Sequence, residues 1–181
     1  MKRGFRFVRD VLLGVVVGLF CLHILPAYLS GLYYSQTGDH YEEQQYLDQC
    51  IVHLEMMRAF CDDPDLDSIL YYATRRYSRV GPWDVMFFPL AGPNVLLPKD
   101  WKVLGCNVPF CPGITLDPSL LLEPPEETAL VIAHEAMHDY WPYYGHAHIT
   151  PREKKLRVLS NHVLDMERTW AWEQKQAWKR K

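Results

Sequence analysis

The sequence predicts an α+β domain, with helices around a small sheet, placed behind an N-terminal transmembrane helix. Three observations predict it. Lys2, Arg3, Arg6 and Arg9 precede an uncharged run from Val11 to Tyr34. Stretches of helical apolar periodicity occupy Tyr41 to Val80 and return after Pro125. Between them, from Val85 to Leu116, short β-prone runs alternate with Gly and Pro.

Residues 1–34 are expected to form a basic cytoplasmic end and a membrane anchor, and residues 35–181 the folded domain. An uncharged run of this length reaches across the hydrocarbon core, which takes about 20 helical residues. Tyr28, Tyr33 and Tyr34 would then meet the far headgroups, and the positive-inside rule places the domain outside the cytoplasm, in a periplasm or lumen. A cleaved signal peptide is the competing expectation, with Val11 to Leu25 as its apolar region and Ala27 at the cut, although Leu25 is a poor residue three positions before a cleavage site. Both routes lead to a compartment that permits disulfides. Cys50 and Cys61 would lie about 16 Å apart on one helix, beyond disulfide reach, whereas Cys106 with Cys111 is a feasible pair.

The remaining chain fits one core. At 181 residues with 23% charged residues and a net charge of −3, it has globular composition and no basic stripe outside its two ends, which excludes a nucleic-acid-binding face. From Tyr41 to Phe60, Tyr46, Cys50, His53, Leu54, Met57 and Phe60 recur at helical spacing, and Asp62-Asp63-Pro64 stops the run. A second helix is expected from about Asp65 to Val80, ended by Gly81-Pro82. Val85 to Phe88 and Val95 to Leu97 then read as strands around an Ala91-Gly92-Pro93-Asn94 turn, with Val103-Leu104 and Ile114 to Leu116 as shorter candidates. Pro124-Pro125 suit a first helical turn, Glu126 and Glu127 complement its dipole, and Pro142 ends that helix. A long helix from about Pro151 closes the chain in a basic, Trp-rich tail.

The third helix carries His134-Glu135-Ala136-Met137-His138. Histidines four apart share a helix face, so His134 and His138 can direct imidazole nitrogens at one ion. Glu135 falls one step round. It is placed beside such an ion, where its carboxylate can take a proton from an attacking water and return it to a leaving amine. A catalytic zinc needs a third protein ligand. On a wheel of the last helix with Leu156 at zero, Glu167 falls at about 20°, in the middle of the apolar face, where an ionised carboxylate is costly unless bound or paired. Glu167 is therefore the expected third ligand, with a buried ion pair as its other explanation. His146, in the loop after the motif, is the runner-up, and His148 and Tyr144 are candidate oxyanion stabilisers.

The stretch from Trp83 to His148 resembles the gluzincin side of the zincin metallopeptidases, notably minimal single-domain members and the membrane peptidases related to CAAX-prenyl proteases. Asn94 to Pro98 resembles their Asn-to-Pro strand, Gly113 to Leu121 their edge strand and following loop, and Ala129 to His138 their active-site helix. The resemblance implies a zincin-like fold and one zinc held by His134, His138 and a downstream Glu, with Glu135 as base. It also implies an edge strand that pairs with an extended protein or peptide substrate. Glu167 is followed by Arg168-Thr169-Trp170, where the family commonly has an acidic run.

The expected function is thus a membrane-anchored zinc metalloendopeptidase. Two other classes stay open at the level of sequence: a membrane-tethered, non-catalytic assembly factor on the same scaffold, and a disulfide-stabilised helical binding module without metal.

Overall fold

A computed structural model describes residues 11–15, 17, 18, 29, 34, 39–81, 83–88, 104–107, 113–142 and 145–179. In chain order the elements are α1 (Tyr41–Ala59), α2 (Pro64–Arg76), β1 (Val85–Phe87), β2 (Gly105–Asn107), β3 (Ile114–Leu116), a 3-10 turn (Pro118–Leu122), α3 (Pro125–Tyr140) and α4 (His146–Lys179).

Helix α1 buries Leu47, Cys50, His53, Leu54 and Met57, the stripe its periodicity predicts. The Asp63 side chain accepts hydrogen bonds from the backbone N–H groups of Asp65 and Leu66, and Pro64 fills the first turn, so the residues that stop α1 also start α2. Helix α2 ends at Arg76, earlier than Val80, and Tyr77 and Val80 lead into the sheet. Cys50 and Cys61 are free thiols, and burial pushes the Cys50 thiol up to about 12. The side chain of Cys106, Cys111 and the expected Val95 to Leu97 strand lie outside the described residues.

The sheet has the order β1-β3-β2, with β1 parallel and β2 antiparallel to β3. Its strands are three residues each. The expected α+β class with a transmembrane helix is corrected here, because helices dominate the described residues and the sheet is minimal. Local chemistry keeps β3 short. Gly113 enters it at φ 109°, and Asp117 leaves it by accepting a bond from the Ser119 N–H to start the 3-10 turn. Strand β2 begins at Gly105, which reads in sequence as a flanking breaker rather than as a strand residue.

The expected anchor, single-pass topology and extracytoplasmic placement are corrected as well. Among the described residues no helix is long and apolar enough to cross a membrane. Within the expected anchor, only 11–15, 17, 18, 29 and 34 are described. Tyr34, expected at the headgroups, is instead buried in the domain. Its hydroxyl bonds to the Glu43 carboxylate and accepts from the Phe87 N–H, and its ring stacks on His40 at 4.0 Å.

Helix α3 runs through the middle of the core. It contacts α1, α2, α4 and β2 and buries Thr128, Ala129, Leu130, Ile132, Ala133, Ala136 and Met137. Ala129, Ala133 and Ala136 let neighbouring backbones come close. The Tyr46 hydroxyl, 2.6 Å from the Leu120 carbonyl and 2.7 Å from Thr128 Oγ1, joins α1 to the 3-10 turn and to the start of α3. Helix α4 docks through Ile149, Leu156, Ser160 and Val163, and the buried Ser160 hydroxyl meets His53 Nε2 at 2.8 Å. Beyond Leu164 the helix is almost wholly exposed.

Gly113 tests the sheet entry, because a Cβ there would lie 2.7 Å from the Asp84 carbonyl oxygen and the backbone is left-handed. Gly113→Ala is expected to cost about 1–3 kcal/mol, read as a lower urea midpoint. An unchanged midpoint contradicts this geometry.

Candidate metal centre

Burial of α3 on nearly every side leaves His134 and His138 as half-buried groups on its one open stripe. The four-residue spacing then does what it predicts. The two Nε2 atoms face each other at 3.2 Å, and the rings are 4.9 Å apart at 72°. His146 joins them from the first turn of α4. Its ring stacks on His134 at 5.4 Å and 25° and meets His138 edge-on at 4.8 Å. Gly145 opens that turn, its carbonyl accepting from His148 N–H at 2.9 Å, while buried Ile149 pins the turn to the core.

His134, His138 and His146 form a group that could hold a metal ion, with one ligand nitrogen from each lying within 4.8 Å of the others. The donor chemistry fits. Two imidazole lone pairs at 3.2 Å repel unless a proton or a cation lies between them. Two nitrogens bound tetrahedrally at 2.0–2.1 Å stand roughly 3.3 Å apart. Burial, reinforced by the neighbouring His134 and His146 rings, pushes His138 down to about 4. His134 is lowered too, mainly by burial, against the raising effect of the Glu153 carboxylate. Both rings are thus neutral near pH 7, the form that binds metals.

Glu135 is buried and turned toward the sheet. A Cβ on Gly105 would lie 2.7 Å from its Oε1 and 3.0 Å from its Cγ, so β2 comes this close to α3 only because residue 105 lacks a side chain.

Glu167 is not brought to the histidines. It is exposed on α4 and lines a groove of about 320 Å³ with His53, Asp48, Glu126 and Leu164, near the opposite end of α3. A helical wheel fixes direction but not height, and Glu167 stands about 16 Å along the axis from Leu156. His148 packs edge-on against Trp141 at 5.5 Å, and Tyr144 lies outside the described residues. The carboxylate that does reach the site is Glu153, whose Oε2 is 3.5 Å from His134 Nδ1. It lies seven residues after His146 and so on the same helix face, a relation the sequence hides because Pro151 reads as the helix start.

Comparison with protein-family models, with curated proteins and with solved structures returns no match. Any function therefore rests on the geometry of the site itself.

The lowered histidine pKa values set a pH dependence. Below 6.5 the unfolded chain takes up protons that folded His138 refuses until about pH 4. Stability from this group is full above pH 6.5 and is lost as pH falls through that window. Melting temperature in the presence of chelator is expected to fall on acidification across it, less steeply in His138→Asn. Identical profiles for the two proteins contradict the assignment.

Proposed function

We propose that the protein is a zinc-dependent peptide hydrolase, with the ion held by His134, His138 and His146 and Glu135 as general base. The convergence of His134 and His138 on α3 with His146 on α4, and a buried carboxylate at the next position along α3, carry this reading. Three imidazoles without thiolate suit a catalytic zinc, which keeps a fourth position open. This set departs from the two-histidine, one-glutamate set implied by the gluzincin resemblance, since His146 replaces Glu167. When bound, the ion supplies Lewis acidity toward a peptide carbonyl and acidifies a water.

The remaining work falls to the chain's own groups. Helix α3 holds His134 and His138 neutral and fixed in direction. Glu135, one residue along, takes the proton of the attacking water and delivers it to the leaving amine. Strand β2, last in the sheet order among the described residues and close against Glu135, offers backbone groups to an extended peptide.

The test is peptide hydrolysis by the zinc-loaded full chain. Glu135→Gln is expected to retain zinc and lose roughly 10²–10⁴-fold in kcat. Gly105→Ala, which must push the Glu135 carboxyl aside, is expected to keep zinc and lower kcat as well. Full activity of Glu135→Gln with zinc bound would favour a metal-holding scaffold without hydrolytic function.

A further inference from the structure

We infer that Glu153 is a positioning residue for His134, its carboxylate taking the Nδ1 proton and so directing the Nε2 lone pair at the ion. The inference rests on the metal reading above and adds a second contribution from α4. His134 Nε2 faces His138 Nε2 at 3.2 Å, so Nε2 is the nitrogen turned toward the cluster. The other nitrogen, Nδ1, is fully buried and has no hydrogen-bond partner among the described residues. A buried ring nitrogen without a partner is uncommon. Glu153 Oε2 stands 3.5 Å from it, just beyond the ordinary N–H···O range of 2.7–3.2 Å, so a small side-chain rotation closes the bond.

The helix delivers both groups together. His146 and Glu153 are two turns apart, about 20° off the same direction and roughly 10 Å along the axis. One therefore reaches the cluster while the other reaches the far edge of His134. Three basic neighbours on α4 are engaged elsewhere. Arg152 pairs with Asp65 and lies over Trp141, Lys155 pairs with Asp63, and Arg157 pairs with Glu127. The bland reading is a partly exposed ion pair, with Glu153 39% exposed, which would contribute little. That reading gives Nδ1 a partner but says nothing of Nε2, which faces the cluster. A neutral imidazole carrying its proton on Nδ1 and a carboxylate on that proton explains both nitrogens at once.

The experiment is a Zn2+ competition titration of the full chain and its variants against a chromophoric chelator, alongside visible spectra of the Co2+-loaded proteins. Glu153→Ala is expected to weaken Zn2+ binding roughly 10–100-fold and to alter the Co2+ ligand-field bands. The metal-free melting temperature should not change. Glu153→Gln, which keeps an acceptor oxygen for the Nδ1 proton, should recover part of the affinity. Wild-type affinity in Glu153→Ala overturns the role, as does a loss that tracks a lower metal-free melting temperature and is not recovered by Gln. Failure of the wild-type protein to bind Zn2+ removes the metal reading itself, and that failure is visible before any variant is compared.

Discussion

The burial of α3 is the constraint on which the rest of the structure depends. A helix enclosed by α1, α2, α4 and the edge of a sheet cannot rotate or slide without exposing Ile132 or Met137 or burying an unpaired charge. Its alanines set the distance to neighbouring helices, and its first turn is tied down through Thr128 and Tyr46. Its last turn is held by Asp139, which accepts hydrogen bonds from the hydroxyls of Tyr72 and Tyr77 on the α2 side. His134 and His138 therefore sit on a rod fixed at both ends. The helix sets where the two side chains leave the backbone, and contacts such as that of Glu153 with His134 act on that fixed frame.

The same burial sets the electrostatics. Desolvation disfavours the imidazolium forms, and two further rings close by add to that preference. The outcome is two neutral donors on α3, His134 and His138, placed where protonation is costly. Glu135 is drawn the other way by the helix's turn of about 100° per residue, toward β2, where the missing side chain of Gly105 leaves room for its carboxyl. The imidazole pair and the Glu135 carboxyl are thus turned apart by one residue of sequence and the local geometry of one helix.

Much of this was legible in the sequence, and the rest was hidden for identifiable reasons. Periodicity located α1 and α2 because each buries a face, the start signals at Pro124-Pro125 and Glu126-Glu127 with the apolar run behind them located α3, and Val85 to Phe87 and Ile114 to Leu116 stood out as β-prone runs. The motif spacing placed His134 and His138 together because a helix leaves no other choice. The third position was not legible from a wheel. Glu167 has the right direction on α4 but the wrong height, and it lines a separate groove with His53 and Glu126. His146 belongs to the first turn of a helix that begins before Pro151, a proline that lies inside the helix but reads in sequence as its start. Strand β2 was masked by its glycine, which is present for the approach to Glu135 and not for a turn. Tyr34 read as a headgroup residue, and only tertiary contacts with Glu43 and Phe87 reveal it as part of the domain.

The most direct measurement is X-ray absorption at the zinc edge on the full chain loaded with one equivalent of zinc. Three imidazole nitrogens at about 2.0–2.1 Å, falling to two in His146→Ala and unchanged in Glu167→Ala, are the expected result. Two imidazoles with a carboxylate that disappears in Glu167→Ala, or no stoichiometric zinc at all, would contradict it.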